Sequence, residues 1–297
     1  MSEECQMRFD GVWVPIITPF DEMGNVDRGK LADFVDIMID QGVDGIVAVG
    51  TTGEAYALTI DERHAVISTV VKQTAGRVPV LAGVGGMSTT EAVDQAALGK
   101  RLGCQGLMVA APAYALPTPD ELAIHIKAVV SSVALPTALY DYPARTGTPF
   151  GIDVLDQLVG FDNINGIKEA SGDLSRIATL TERFGDKLQI VCGADADCTT
   201  FMNAGVTSWI GGMANALPKA HSAIINADTR EAAFNAVHPI LEYIESGRYI
   251  AKTKALVSIL GFETKAVRGP LQPATSQEIA ELERLVEQAG EWVPRLA

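Results

Sequence analysis

Eight short apolar runs, each followed by a cluster of small or polar residues, recur along the first two thirds of this 297-residue chain. The runs are Val12–Thr18, Gly45–Val49, Val78–Ala82, Gly106–Ala110, Thr137–Tyr140, Ile164–Lys168, Leu188–Cys192 and Ser208–Gly211. Short runs that are rich in β-branched residues and lack polar alternation predict strands buried on both faces. Such a chain needs further elements to cover both sides of its sheet.

Amphipathic segments with helical spacing of apolar residues separate the predicted strands. The clearest are Arg28–Gln41, Thr59–Thr74, Thr89–Leu102, Pro119–Val133 and Leu174–Phe184. Strands that alternate with helices form parallel sheets, and eight units with a period of ~25–30 residues favour a closed barrel over a doubly wound sheet. The nearest match to a dinucleotide-binding fingerprint, Gly83–Ser88, lacks the third glycine. We therefore predict an α/β protein with a (β/α)₈ TIM barrel.

The pattern changes after Gly212, where only helical segments follow. These are Pro218–Ala227, Glu231–Ser246, Tyr249–Leu260 and Thr275–Ala289. Gly247, Gly261 and the segment Pro270–Pro273 interrupt them, as expected of helix-breaking residues. We predict two domains, a barrel over residues 1–226 and a helical C-terminal domain over residues 227–297.

Charge and hydropathy narrow the classes of partner. The net charge is −14 and no basic block occurs, so a nucleic-acid backbone or an anionic membrane would repel the chain. The first ten residues are polar and acidic rather than a basic start with an apolar run, and no apolar stretch approaches ~20 residues. We expect no nucleic-acid or membrane partner and a cytoplasmic location.

Cysteine and histidine patterns give no sign of a metal site or a disulfide framework. The cysteines Cys5, Cys104, Cys192 and Cys198 form no C-x-x-C pair, which favours free thiols in a reducing compartment. The histidines are far apart in the sequence, and no H-E-x-x-H motif occurs; they are His64, His125, His221 and His238. We therefore expect no metal.

Two of the predicted strand ends carry polar residues that could do chemistry. Active sites of barrels lie at the carboxyl ends of the strands. Gly50-Thr-Thr-Gly-Glu54 offers two hydroxyls and free backbone N–H groups, although a glycine turn with a helix-capping threonine would look the same. Tyr140 is followed by Arg145, which could combine a proton donor with a carboxylate clamp; a core tyrosine and a surface arginine are the simpler alternative.

Lys168 is the third feature, because it ends an apolar strand where an ammonium group is costly to bury. The other nine lysines lie in predicted helices, loops or the C-terminal region. A desolvated lysine has a lowered pKa, and its neutral amine can attack a ketone to form a Schiff base. A lysine that extends to solvent, or one paired with Glu169 or Asp173, is the alternative.

Three motifs together resemble the dihydrodipicolinate synthase and N-acetylneuraminate lyase family of Schiff-base, pyruvate-dependent lyases. They are Gly50-Thr-Thr-Gly-Glu54, Tyr140-x-x-Pro-x-Arg-Thr-Gly147 and Gly166-Ile-Lys-Glu-Ala-Ser-Gly-Asp173, and the similarity extends from about Phe9 to the C-terminus. The resemblance implies a barrel with a helical C-terminal domain and no metal or organic cofactor. It also implies a homotetramer built as a dimer of dimers.

The resemblance assigns roles to individual residues. Lys168 corresponds to the Schiff-base lysine, Tyr140 to the proton shuttle and Thr52 to its relay partner. Thr51 and the backbone near Ile210 correspond to the groups that hold the pyruvate carboxylate. Gly193 corresponds to a loop glycine beside the substrate, and Tyr114 to a tyrosine that, in synthases, reaches across the dimer into the neighbouring site.

The second substrate stays open. Arg145 corresponds to an arginine that clamps the carboxylate of aspartate semialdehyde in synthases, which favours synthase-like condensation of pyruvate with an aldehyde. The segments Pro112–Leu116 and Gly211–Asn215 differ from the synthase pattern, and a pocket with other polar groups recognises other substrates. The alternatives are an aldolase, dehydratase or deaminase acting on a 2-oxo-3-deoxy sugar acid, N-acetylneuraminate or a hydroxyproline-derived imine.

Two further expectations concern regulation and a role without catalysis. In lysine-inhibited synthases a small polar set binds the inhibitor, and the matching positions here are Ile60, Met87, Glu91 and Ala113. Only Glu91 could pair with lysine, so we expect no inhibition by lysine.

A small-molecule-binding protein on a degenerate barrel is the alternative to an enzyme, because fold alone does not fix function.

Overall fold

Eight parallel strands close into a barrel in the computed structural model of the protein, which describes residues 6–296. The strands are β1 (Gly11–Pro15), β2 (Gly45–Ala48), β3 (Val80–Val84), β4 (Gly106–Ala110), β5 (Thr137–Asp141), β6 (Ile164–Glu169), β7 (Gln189–Cys192) and β8 (Ser208–Ile210). Each strand pairs with its neighbour in the sequence, and β8 returns to pair with β1. The predicted (β/α)₈ barrel is thereby confirmed.

Helices connect the strands and continue beyond the barrel. They are α1 (Arg28–Asp40), α2 (Ile60–Thr74), α3 (Thr89–Arg101), α4 (Pro119–Ser132), α5 (Pro143–Thr146), α6 (Ile152–Leu158), α7 (Arg176–Phe184), α8 (Cys198–Asn203), α9 (Pro218–Ile225), α10 (Arg230–Glu245), α11 (Tyr249–Ile259) and α12 (Ser276–Ala289). Capping boxes begin α2, α4 and α12, where a threonine and the glutamate three residues later satisfy each other's backbone N–H groups. Along residues 6–296, no helix combines the length and the apolar character needed to cross a membrane.

The barrel encloses its own small core. Its members come from the strands and the segment before β1: Phe9, Trp13, Val47, Leu81, Met108, Ala138, Tyr140, Val191 and Ile210. A larger apolar layer fills the space between the strands and the surrounding helices. Burial on both faces explains why the strand sequences lack polar alternation. The same burial makes any polar side chain inside the barrel expensive unless it has a function.

The C-terminal helices pack on one another and on the barrel. The helix α9 contacts β1 and completes the ring, while α10, α11 and α12 contact one another. The predicted boundary between residues 226 and 227 falls in the link between α9 and α10, and the division into two domains stays a prediction. Contacts described below show that α10 and α11 also reach the mouth of the barrel.

The cysteines in the described part of the chain are free. Cys104, Cys192 and Cys198 are all buried and unpaired with one another, as the absence of C-x-x-C pairs indicated. Burial raises the pKa of the Cys104 thiol to about 12, so this thiol is a poor nucleophile. Cys5 lies outside the described residues.

Candidate active site

Tyr140 and Lys168 lie side by side near the carboxyl ends of β5 and β6. The strands pair in a register that places Tyr140 opposite Lys168, and the Lys168 Nζ lies 4.2 Å from the centroid of the Tyr140 ring. The lysine is only 5% exposed. The structure thus brings together the two residues that the sequence analysis placed at the centre of the chemistry.

The amine of Lys168 has no ion-pair partner within residues 6–296. Glu169 pairs instead with Arg176, at 2.9 Å, and Asp173 accepts a hydrogen bond from the Ser175 hydroxyl at 2.6 Å. The alternative in which either acid neutralises Lys168 is therefore wrong. Burial lowers the pKa of Lys168 from 10.5 to about 8, although the negative charge of Asp195 acts in the opposite direction. At pH 7, ~9% of the amine is therefore neutral, far more than for an ordinary lysine.

A buried ion triad fixes the two strands from the other face. Asp141 and Glu169 follow Tyr140 and Lys168 directly, so their side chains point away from the barrel interior. Arg176 binds both acids, with Nη2 2.8 Å from Asp141 Oδ2 and Nε 2.9 Å from Glu169 Oε2. Burial and the nearby Glu169 raise the pKa of Asp141 to about 6. Arg176 therefore holds β5 and β6 in register where the tyrosine and the lysine meet.

The loop after β2 brings two hydroxyls to the same place. Thr51 forms a side-chain hydrogen bond with Tyr140, and Thr52 is buried on the wall of the cavity that contains Lys168. The hydroxyl beside Tyr140 is thus that of Thr51, which favours Thr51 over Thr52 as the relay partner; the roles of the two threonines stay predictions. Gly53 allows the turn, because a Cβ there would lie 2.7 Å from the carbonyl oxygen of Ile16.

The C-terminal region anchors this loop through a buried ion pair. Lys254 on α11 and Glu54 at the end of the loop are both fully buried and bind each other. The ammonium group also donates to the carbonyl oxygens of Thr18 and Ala266, each at 2.7 Å. Burial lowers the pKa of Lys254 to about 8. The helical extension therefore helps to position the threonines.

A cavity of about 500 Å³ opens above the lysine and collects most of the predicted site. Its lining includes Lys168, Tyr140, Thr51, Thr52, Arg145 and Gly193. A Cβ at Gly193 would lie 2.6 Å from the carbonyl oxygen of Glu169, so only glycine fits at that position. Ile210 differs from the others, since its side chain lies in the inner core beside Tyr140 rather than on the cavity wall.

Arg145 lies at the rim of this cavity on the short helix α5. Its guanidinium group is 5.3 Å from the centroid of the Tyr142 ring, and its side chain is exposed to solvent. The positive charge is therefore available to an anionic substrate that enters from the mouth.

A second cavity, of about 440 Å³, adjoins the first and shares Thr51, Tyr140 and Arg145 with it. Met87, Glu91, Ala113 and Arg63 are among the residues that line its other end. Both oxygens of Glu91 are already occupied, one by the backbone N–H of Met87 at 3.0 Å and the other by Gln95 at 3.0 Å. At this end of the cavity, a cationic ligand would find the Glu91 carboxylate already hydrogen-bonded and would be repelled by the positive charge of Arg63.

Tyr114 is not brought to either cavity within the single chain. It is 90% exposed and has a positive φ of 69°. Leu116, two residues later, also has a positive φ and is exposed. The expectation that Tyr114 acts in a neighbouring subunit stays a prediction.

Sequence reasoning missed three residues that border the lysine cavity: Asp195, Glu245 and Tyr249. The Tyr249 hydroxyl donates a hydrogen bond to Asp195 Oδ2 across 54 residues of sequence. Glu245 accepts the backbone N–H of Asp195 at 2.9 Å, and burial with the nearby Asp195 raises the pKa of Glu245 to about 7. Among the described residues, no three His, Cys, Asp or Glu side chains cluster as a metal ion would require.

The fold and this cavity define the class of the protein as a (β/α)₈-barrel enzyme with a buried amine at its centre. The profile of the dihydrodipicolinate synthetase family matches residues 8–289, and the chain belongs to that family. The resemblance drawn from the three motifs is thereby confirmed, and with it the expectation of a lyase of this family.

Several relatives show how close the similarity is. The 4-hydroxy-tetrahydrodipicolinate synthase of Citrifermentans bemidjiense is 37% identical over 287 residues, which cover 94% of this chain and 98% of the relative. The chloride-inhibited dihydrodipicolinate synthase of Acinetobacter baumannii, solved in complex with pyruvate, is 32% identical with a TM-score of 0.91 and coverages of 95% and 99%. A monomeric dihydrodipicolinate synthase variant is 26% identical, with a TM-score of 0.90 and coverages of 95% and 97%.

Proposed function

We propose that the protein is a Schiff-base lyase that joins pyruvate, or a related 2-oxo acid, to an aldehyde. The observation that carries this proposal is Lys168, a buried amine with a pKa of about 8 that faces a cavity and lacks an ion pair among residues 6–296. Such an amine attacks the ketone carbon of a 2-oxo acid. Water then leaves the carbinolamine to give an iminium, and loss of a C3 proton gives the enamine.

Tyr140 moves the protons in these steps. Its ring lies against the Lys168 amine, and its hydroxyl is hydrogen-bonded to Thr51. Burial raises the pKa of Tyr140, so the phenol stays protonated and can donate to the hydroxyl that leaves the carbinolamine. Thr51 relays the proton, and Thr52, with backbone groups near Ile210 and Gly193, holds the carboxylate of the 2-oxo acid.

Arg145 supports the synthase-like direction of the reaction. The enamine carbon adds to the carbonyl carbon of the aldehyde, and hydrolysis of the resulting iminium releases the product and regenerates the amine. An aldehyde with a carboxylate, such as aspartate semialdehyde, would meet the exposed guanidinium of Arg145 at the rim. We therefore propose a reaction like that of 4-hydroxy-tetrahydrodipicolinate synthase.

A screen of substrate pairs tests this function. The purified protein is incubated with 2-oxo acids and aldehydes in all combinations, and with 4-hydroxy-2-oxo acids for the reverse cleavage, and products are identified by mass. We expect condensation with pyruvate and a carboxylate-bearing aldehyde. If products form only from sugar acids, the aldehyde assignment is wrong; if no 2-oxo acid reacts in any combination, the lyase proposal fails.

We also propose a homotetramer in which Tyr114 completes the site of a neighbouring subunit. The support is its exposure of 90% on the single chain, together with the exposure of Met87 and Leu116. Sedimentation should show four copies. Mixing inactive Lys168→Ala and Tyr114→Phe subunits should restore some complete sites, whereas no recovery after verified subunit exchange would mean that Tyr114 does not act across subunits.

We further propose that the protein works in the cytoplasm. The free, buried thiols Cys104, Cys192 and Cys198 suit a reducing compartment. Fractionation of cells that produce the protein should recover it with the cytoplasmic enzymes, and recovery in a secreted fraction would contradict the assignment.

A further inference from the structure

The C-terminal helices supply one wall of the lysine cavity. Tyr249, the first residue of α11, lines the cavity together with Lys168 and Tyr140. Its hydroxyl donates to Asp195 Oδ2, and no other described residue donates a hydrogen bond to the Tyr249 oxygen. The lone pairs of that oxygen are therefore available to a donor in the cavity.

Two glycines after β8 make room for this arrangement. A Cβ at Gly212 would lie 2.2 Å from the Tyr249 hydroxyl oxygen, and a Cβ at Gly211 would lie 2.5 Å from Asp195 Oδ1. Any side chain at either position would displace the tyrosine or the acid. The Gly211-Gly212 pair, which departs from the synthase pattern, is thus explained by the contact between Tyr249 and Asp195.

Asp195 is fixed from several directions. It is 2% exposed, its backbone N–H donates to Glu245 Oε1 at 2.9 Å, and its Oδ2 accepts the Met213 N–H at 3.4 Å. Its Oδ1 lies 3.7 Å from His221 Nε2 and has no hydrogen-bond partner among the described residues. A carboxylate held in this way can take a proton from Tyr249 without moving.

We propose that Tyr249 and Asp195 form a second proton relay, which serves the carbon–carbon bond step and is separate from the Tyr140 relay that serves imine formation. The inference rests on the proposed Schiff-base function. In the cleavage direction, the C4 hydroxyl of the substrate iminium donates its proton to the Tyr249 oxygen while Tyr249 passes its own proton to Asp195. The C3–C4 bond breaks, its electron pair flows to the iminium nitrogen, and an aldehyde and the enamine result.

The addition direction uses the same groups in reverse. Protonated Asp195 returns its proton to Tyr249, which donates to the oxygen that develops charge as the enamine attacks the aldehyde carbonyl. At rest Asp195 is a carboxylate. After cleavage it releases the proton that came from the C4 hydroxyl to water in the open cavity, and before addition it takes a proton from that water, so each cycle returns Asp195 to the carboxylate. Lys168 and Tyr140 need the relay only when the carbon–carbon bond forms or breaks.

Tyr249→Phe separates the two relays, because it keeps the ring and removes only the hydroxyl. Three rates are measured: trapping of the pyruvate imine by borohydride, exchange of the pyruvate methyl protons in deuterated water, and turnover of the aldehyde or 4-hydroxy-2-oxo acid that wild type uses. We expect the rates of imine trapping and of methyl-proton exchange to stay within about threefold of wild type. The turnover of the aldehyde or 4-hydroxy-2-oxo acid should fall by ~10²–10⁴-fold. Tyr243→Phe on α10, whose ring contacts Lys252 outside the cavity, is the matched control and should retain all three rates.

Substitution of Asp195, alone and together with Tyr249, tests whether the two residues act in one relay. Asp195→Asn can still accept the hydrogen bond but cannot take the proton. Its turnover of the aldehyde or 4-hydroxy-2-oxo acid should therefore fall by as much as that of Tyr249→Phe. The double variant should have a turnover only slightly lower than that of either single variant. Equal turnover in wild type and Tyr249→Phe would overturn the inference, as would an equal fall in all three rates. A wild-type protein that forms no imine would instead overturn the Schiff-base function itself.

Discussion

The pH dependence of imine formation is the prediction that follows most directly from the burial of Lys168. With a pKa of about 8, ~9% of the amine is neutral at pH 7, whereas an ordinary lysine with a pKa of 10.5 is only ~0.03% neutral. The cavity therefore gives ~300-fold more nucleophile, which corresponds to ~3 kcal/mol. Because the neutral amine is the reactive form, the rate should rise about tenfold per pH unit below pH 8 and become constant above it.

The assay follows adduct formation at subsaturating pyruvate between pH 6 and 9.5, with timed borohydride quenching and intact-mass detection. Asp195→Asn is the informative variant, since the negative charge of Asp195 raises the pKa of Lys168. Its midpoint should therefore lie below that of wild type. A rate that keeps rising tenfold per unit through pH 9.5 would show an ordinary lysine and refute the argument from burial.

Three further perturbations test other parts of the site. Tyr140→Phe should lower kcat by ~10²–10⁴-fold while the melting temperature stays close to that of wild type, and near-normal kcat would remove Tyr140 from the mechanism. Arg145→Ala should raise KM for a carboxylate-bearing aldehyde far more than KM for pyruvate; if both constants stay unchanged, the clamp does not exist. Free L-lysine at millimolar concentration should leave the activity unchanged, because Glu91 is already hydrogen-bonded and Arg63 lines the same cavity, and a clear inhibition curve would disprove this.

Local sequence patterns were sufficient to predict the barrel. The predicted strand Gly106–Ala110 is the observed β4, and the predicted helices before it begin within one residue of α1, α2 and α3. These elements are bounded by capping residues and by glycines, whose conformational effects are local. The short helices α5, α6 and α8 were missed, because four to seven residues are too few for a helical period to be visible.

The site could be predicted only where its residues lie at the carboxyl end of a strand or a few positions after it. Lys168, Tyr140 and Arg145 could be located in this way, but the order of Thr51 and Thr52 could not, since it depends on how the loop turns after Val49, which has a positive φ. Arg176 and Tyr249 act on residues 35 and 54 positions away, and spacing within the sequence carries no signal over such distances. The Gly211-Gly212 pair after β8 was a local sign that other side chains, which are those of Asp195 and Tyr249, pack directly against this segment.

Covalent trapping of Lys168 tests the central claim most directly, and the chain supplies its own control. Lys168 and Lys254 are both buried, and the pKa of each is lowered to about 8, but only Lys168 faces the cavity, while Lys254 is bound to Glu54. The protein is treated with pyruvate and borohydride, digested, and the modified peptide is sequenced by mass spectrometry. We expect one adduct per chain, on Lys168, and none on Lys254. An adduct on another lysine, or no adduct with any 2-oxo acid tried, would contradict the proposed mechanism.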